Sequence, residues 1–246
     1  MNRLRIVMIA LLAGAVSGAQ AASPAAATSS VNVQDLLVGC PTMTHGYGPF
    51  DYRTASQDQK NLVEGAHFLP QVENLIRGHR SYLGGDIDYT LRAFPNHPRA
   101  LMSMMRLFER EKMKIPQGAR APLRCYFEHG IRFREDDPMP RLLYGIHLLK
   151  IGQREQAISF LESAGELDDS NPNTQYNLGL AYLQLKRYDE ALDYAHKAYG
   201  AGFPLPGLRN GLVKAGKWRD PAPEAASAPA ESASAPAAVS APAAQP

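Results

Sequence analysis

Residues 172–200 read PNTQYNLGLAYLQLKRYDEALDYAHKAYG, and residues 138–166 read PMPRLLYGIHLLKIGQREQAISFLESAGE. The two stretches align at a shift of 34 residues. Pro138 falls on Pro172, Gly145 on Gly179, Leu149 on Leu183, Ile151 on Leu185, Ala157 on Ala191, Ile158 on Leu192, Phe160 on Tyr194 and Ala164 on Ala198. A fixed period of this length marks stacked copies of one supersecondary unit. In each unit a proline opens a helix. In the second, Tyr176, Leu180 and Leu183 recur at three- and four-residue steps, Lys186-Arg187 makes a turn, and another helix runs from about Tyr188 to Tyr199, ending at Gly200. The small residues have a packing reason: the two helices of a unit are expected to cross closely at Gly179 and Ala191, and the next unit to approach at Ala198.

Leu178-Gly179-x-x-Tyr182, with Ala191 and Ala198, resembles the tetratricopeptide repeat (TPR) pattern. The resemblance implies an all-α solenoid of helical hairpins that binds a peptide or protein. The copy at 138–171 departs from the pattern, with Tyr144 in place of Leu and Leu148 in place of Tyr, and neither copy at 138–171 or 172–205 has the family's Trp. Aligning backward from Pro138 places Leu123, Tyr126, Phe127 and Gly130 on Ala157, Phe160, Leu161 and Ala164. This predicts a divergent copy over 98–137, with an enlarged turn at Lys114–Gly118 and a first helix from Pro98 to Lys112 capped by Asn96. Leu101, Met104, Met105 and Phe108 would share one face of that helix. A helix at 206–217 is expected to close the array over 98–219, since a solenoid must cover its last apolar face.

Residues 31–97 lack the period and read as an irregular helical extension packed on the array. Gly46–Arg53 is a loop, helices are expected at Gln57–Phe68 and Pro70–Arg77, and Gly84-Gly85 precedes a short helix with Asp86 as N-cap and Asp88 in its first turn. Asp51, Arg53, Asp86 and Asp88 are the candidates for a small-molecule or metal site, although capping and ion pairs account for the same residues. The loops Gly46–Arg53, Gly84–Pro98 and Gly202–Asn210 resemble a group of uncharacterised bacterial exported TPR proteins, over roughly residues 40–219. That group carries no activity to transfer.

The ends differ in composition. Residues 1–21 have a basic start, an apolar run from Ile6 to Val16 and the small-x-small sequence Ala19-Gln20-Ala21, the pattern of a cleaved export signal. Residues 22–30 and 221–246 are expected to be disordered, the latter with 22 of 26 residues Ala, Pro or Ser. No other stretch is long and apolar enough to span a bilayer. Export makes a disulfide the favoured reading of Cys40 and Cys125. Lipidation at Leu37-Val38-Gly39-Cys40 and free thiols are the alternatives; the lipobox is weakened by the polar stretch Thr28–Asp35 that separates it from the apolar run. Cys125 aligns with Ser159 and Asp193, which predicts a solvent-facing position held by a staple to Cys40.

Removing Arg3 and Arg5 turns the formal charge of +2 into 24 basic against 24 acidic residues, which argues against a charge-driven nucleic-acid binder. The neutral total hides a split. Residues 98–134 hold nine basic residues and three acids, a possible patch for an acidic partner, whereas residues 135–200 hold eleven acids and six basic residues. No phosphate loop, His-Glu-x-x-His, Cys-x-x-Cys or Gly-x-Ser-x-Gly is present, Cys125 and His129 lack a nearby third partner, and the seven His are scattered. No catalytic residue, cofactor or metal is expected.

The expectation is a non-enzymatic periplasmic adaptor for a peptide or protein of the cell envelope, with its groove on the first helices. Candidate groove residues are Leu142, Ile146 and Lys150, then Tyr176, Asn177, Leu180 and Gln184; Asn177 with Arg209 and Lys214 partly resembles a clamp for a chain-terminal carboxylate. The alternatives are an envelope ligand-binding or enzymatic module with its site at Asp51, Arg53, Asp86 and Asp88, and a structural component whose tail is anchored to the cell wall.

Overall fold

The computed structural model describes residues 39–43 and 46–221. The expected signal, the 22–30 segment and the tail beyond residue 221 lie outside the described residues. Every regular element among them is a helix: α1 Gln57–His67, α2 Pro70–Glu73, α3 Leu83–Ala93, α4 Pro98–Arg110, α5 Leu123–Phe133, α6 Pro138–Lys150, α7 Arg154–Leu167, α8 Pro172–Gln184, α9 Tyr188–Gly200 and α10 Gly207–Lys214. Helices α6 and α7 form one antiparallel hairpin and α8 and α9 the next, stacked in chain order as the 34-residue period requires.

The same local device starts each first helix. His97, Asp137 and Asn171 are N-caps whose side chains accept from Ala100 N, Met139 N and Asn173 N, and Pro98, Pro138 and Pro172 follow at the first helical position. Proline is pre-set for that position and lacks the N–H that would otherwise be orphaned. The same device also ends each first helix. Lys112, Gly152 and Lys186 stand fifteenth in their copies, all with positive φ, and the N–H of the next residue returns to Phe108, Leu148 and Tyr182. The divergent copy therefore keeps register through its first helix and departs only in the turn after it. One expectation is corrected: the cap of α4 is His97, not Asn96, whose side chain bridges two loops described below.

The repeat geometry also reaches upstream of residue 98. Phe94 and Arg134 end α3 and α5 with N–H bonds to Thr90 O and Gly130 O, and His97 N and Asp137 N then bond back to Phe94 O and Arg134 O. Helix α3 thus occupies the place of a second helix in front of α4, with α1 packed on it. A continuous apolar core runs from Phe68 and Val72 through Met104, Phe127, Leu142 and Leu161 to Leu208 and Leu212 of α10. A small satellite core of Val63, Ala93 and Phe94 lies under Tyr47, Phe50 and Tyr52. The loop carrying these three rings is fastened by Phe50 N to Ala93 O at 2.8 Å. Gly48 allows that approach, since it has φ +107 and a Cβ there would stand 2.6 Å from Ala93 O.

Gly145 sits where a Cβ would meet Leu161 Cγ of the second helix at 2.6 Å. At Gly179 the nearest group is different: a Cβ there would run into Leu208 of α10, with Ala191 O at 3.4 Å, so this glycine serves the closing helix as well as its own hairpin.

Cys40 and Cys125 are joined, with Cα atoms 5.6 Å apart and a separation of 85 positions in sequence. Cys125 is wholly buried, in contrast to its solvent-facing counterparts in the alignment, because the segment carrying Cys40 crosses α5 at this point.

Two stability results follow from the helix contacts. Gly145→Ala should lower unfolding free energy by about 1–3 kcal/mol, because Leu161 is buried and cannot swing away. Gly165→Ala, whose Cβ would meet only Thr174 and Leu178 at 3.7 and 4.0 Å, should raise it by about 0.5–1 kcal/mol; urea titrations of both variants check the signs. Reducing the Cys40–Cys125 bond should lower stability by about 2–4 kcal/mol. In the same titrations the reductant should have no effect on a Cys40→Ser/Cys125→Ser variant, which should itself be as unstable as the reduced wild type.

Candidate functional site

The four polar residues singled out in the extension fall into three separate clusters. Asp51 accepts from Arg53 N (3.0 Å), Arg53 Nε (3.2 Å) and Asn96 Nδ2 (2.7 Å), and pairs with Arg134 Nε at 3.0 Å. Burial opposes its charge, but the hydrogen bonds from Arg53 and Asn96 outweigh that and hold the carboxyl at about 2. Asn96 also donates to Asp137 Oδ2 at 2.7 Å and accepts from Tyr52 N at 2.9 Å, while Arg53 reaches Asp136 at 2.8 Å. Asp51 and Arg53 thus bind the 50s loop to two equivalent interhelix connections, 94–97 and 134–137.

Asp86 and Asp88 are two apart on α3, so they do not share a face. The N-cap of that helix is Tyr82, not Asp86. Asp86 instead gathers the N–H groups of His79, Arg80 and Ser81 at 2.6, 3.1 and 3.3 Å, with His67 Nδ1 at 2.9 Å from its other oxygen. Asp88 accepts from Tyr126 Oη at 2.7 Å and from Arg92 Nε at 2.9 Å, with Arg120 Nε at 3.5 Å. Burial and the facing carboxylate push the Tyr126 hydroxyl far above its ordinary range. All three carboxylates are engaged by donors of the chain itself, and the four residues do not converge on one site for a ligand.

The basic stretch at 98–134 is used internally. Arg99 pairs with Glu64 (3.0 Å) and Glu73 (2.8 Å), Arg106 and Arg110 donate to Glu73 O and Leu75 O, and Arg120, Arg124 and Arg134 pair with Asp88, Glu128 and Asp51. The acidic partner expected at this patch is, for most of its arginines, the chain's own extension.

Between the extension and α4 lies an arrangement the sequence reading missed. His97 is fully buried and stacked on Tyr52 at 3.9 Å. Its Nδ1 accepts from Ala100 N, which leaves Nε2 to carry the proton and donate to Glu64 Oε1 at 3.0 Å. That bond, with those from Tyr52 and the charge of Arg99, takes Glu64 down to about 2. The signal was available in register: His97 precedes Pro98 as Asp137 precedes Pro138 and Asn171 precedes Pro172.

On the array, three of the expected groove residues hold the fold instead. Leu142 is fully buried; Tyr176 lies under Phe203, ring centroids 4.4 Å apart; and the Asn177 amide donates to Asn173 O and Asn173 Oδ1, both at 2.8 Å. Arg209 lies over the Trp218 ring at 5.0 Å and 3.8 Å from Asp220, contacts that involve neither Asn177 nor Lys214. Ile146 and Leu180 are half-buried at the same register of successive first helices, with Lys150 and Gln184 exposed one turn further along. Lys150 pairs with Glu109 at 3.0 Å, and Gln184 accepts from Arg154 at 3.0 Å.

Residues 148–197 match the family model described as Tetratricopeptide repeat. No curated protein matches the chain.

Burial lowers the pKa of His97 below the ordinary histidine value, so near pH 6 the unfolded chain binds a proton that the folded chain does not. Stability should therefore fall as the pH drops below about 6.5, by up to about 1.4 kcal/mol per pH unit for this one group. His97→Asn retains a competent helix cap without the titrating ring. Urea unfolding at pH 7, 6 and 5 should give a shallower loss for this variant, the remainder including His147, whose pKa burial also lowers. Equal slopes for variant and wild type would reject the assignment.

Proposed function

We propose, from the premise that this chain is a tetratricopeptide-repeat protein, that it is a non-enzymatic scaffold in the periplasm holding a peptide or protein of the cell envelope. The observation that carries the binding role is the repeated register on α6 and α8: Ile146 and Leu180 present apolar surface side by side, with Lys150 and Gln184 at the rim. This strip is shorter than the sequence suggests, because Leu142, Tyr176 and Asn177 are consumed by packing. It suits an extended or helical segment with one or two apolar anchors and polar flanks.

The export reading is supported by the signal-like composition of residues 1–21 and by the disulfide, a bond that persists in oxidising compartments. The non-enzymatic reading is supported by the engagement of Asp51, Asp86 and Asp88 with internal donors.

A photo-crosslinking amino acid placed at position 146 or 180 should capture a discrete envelope protein in cells, whereas one at exposed Lys112 should not. Adducts at 112 with none at 146 or 180 would overturn the groove.

A further inference from the structure

One stretch of the divergent copy has no counterpart in the copies that follow. This copy spans 40 residues, 98–137, against 34 for 138–171, and the extra ones come after the shared turn at Lys112. They begin with Met113, which has φ +62, whereas its register equivalents Gln153 and Arg187 have φ −85 and −83. A left-handed backbone at a residue with a side chain is unfavourable unless its surroundings impose it. Lys112-Met113-Lys114-Ile115 lies entirely on the surface, with Met113 45% and Ile115 53% exposed.

The inserted residues adjoin the segment between α2 and α3. Arg110 Nη1 donates to Leu75 O at 2.9 Å, and a Cβ on Gly84 would stand 2.6 Å from Gln117 O. Tyr82, Leu107, Arg110, Glu111 and Pro116 together line a cavity of about 220 Å³. Ile76 and Tyr82 of that segment are 72% and 60% exposed, the two most exposed large apolar side chains among the described residues. Four large apolar side chains thus stand in solvent where the two segments meet the end of α4.

The charge there is one-sided. Arg77, Arg80, Lys112 and Lys114 are exposed, and among the described residues none of them makes an ion pair. The acids of 73–86 and 107–118 are all engaged: Glu73 with Arg99, Asp86 with His67 and three N–H groups, Glu109 with Lys150, and Glu111 with Arg110. Four unpaired cations therefore surround the four apolar side chains, with no free carboxylate among them.

Charge and shape together select the partner. Only Tyr82 of the four apolar residues lines the cavity, so Ile76, Met113 and Ile115 offer protrusions rather than a pocket. A protein partner would need a matching hollow for each of them. A bilayer interface needs none: aliphatic tips enter the acyl boundary, lysine and arginine stems reach back to the phosphates, and a tyrosine ring sits at headgroup depth. Each unpaired base close to an anionic leaflet adds to the attraction.

We propose that this surface, centred on Lys112, Met113, Lys114 and Ile115, docks the protein peripherally on an anionic phospholipid bilayer. None of the groove residues takes part, so the surface stands or falls separately from the scaffold reading.

The test cosediments the disulfide-bonded mature chain, residues 22–246, with vesicles of phosphatidylglycerol and phosphatidylcholine in equal parts and with vesicles of phosphatidylcholine alone. Omitting the apolar run Ile6–Val16 keeps it from binding lipid by itself. Binding should be saturable, tighter by roughly tenfold or more on the anionic vesicles, and weakened by salt. Lys112→Gln/Lys114→Gln should weaken it roughly tenfold or more, and Met113→Asn/Ile115→Ser likewise. Both should keep the melting temperature, since the four side chains are exposed and Asn tolerates the left-handed backbone at 113. Lys186→Gln/Lys214→Gln removes the same charge from exposed positions outside this surface and should bind like wild type. No binding, no preference for the anionic vesicles, or an equal loss in the control pair would each overturn the proposal. Wild-type binding by Met113→Asn/Ile115→Ser would do so too, by reducing the surface to a plain charge patch. Capture of a protein by the photo-crosslinker at Lys112 would replace the bilayer with a protein partner. Capture at 146 or 180 with no vesicle binding refutes this surface and leaves the scaffold standing, and vesicle binding with no captured partner does the reverse.

Discussion

Three carboxylates that scarcely touch solvent, Asp86, Asp88 and Asp137, set the terms on which this chain folds. A buried carboxylate without partners costs several kcal/mol or takes up a proton. Here the partners come from distant parts of the sequence: Tyr126 is 38 residues from Asp88, and Asn96 is 41 from Asp137. Separating the extension from the repeats would strip Asp88 of Tyr126 and Arg120, leave Asp137 with only its own helix cap, and break the Arg99 pairs with Glu64 and Glu73. The two regions are therefore expected to unfold together, despite having different sequence character, and the disulfide adds a covalent tie along the same seam.

The same seam explains the charge split. The arginines of residues 98–134 project toward α1, α2 and the 50s loop, where they meet side-chain carboxylates and the terminal carbonyls of α2. A carbonyl at a helix C-terminus is a good arginine acceptor because it has no intrahelical donor. The acidic half has no corresponding basic extension to lie against it. Apart from Asp136 and Asp137, which Arg53 of the 50s loop reaches, its acids make local contacts such as Arg187 with Glu190 or lie toward solvent. Neutrality of the whole thus results from one basic surface covered internally and one acidic surface left available.

How much of this was legible depended on the type of signal. The 34-residue period placed α6 to α9 and their small residues, since packing repeats in step with sequence, and the divergent copy was recoverable because cap, proline and turn kept register. The role of α3 was hidden: its inward residues, Ile87 and Leu91, are large, and Thr90 stands where the other copies have Gly130 and Ala164, so the small-residue signature fails. Burial of Leu142 and Tyr176 was also out of reach, because a first-helix residue looks the same in sequence whether the next element leaves it open or covers it. The pairing of Arg99 with Glu64 and Glu73 is a long-range contact with no periodicity, and composition alone made those arginines look like a surface patch.

The closing helix ties these points together. An array of so few copies must bury its last apolar face, and it does so with Leu208 and Leu212 of α10, seated partly in the space that Gly179 leaves by lacking a Cβ. That closure draws Phe203 over Tyr176 and the Tyr199 hydroxyl onto Leu205 O, so the first-helix surface of the last repeat is partly spent on stability. In a long solenoid this loss at one end is minor. Here it removes much of the concave face that the sequence offered, and the half-buried pair Ile146 and Leu180 is what remains of it on the first helices.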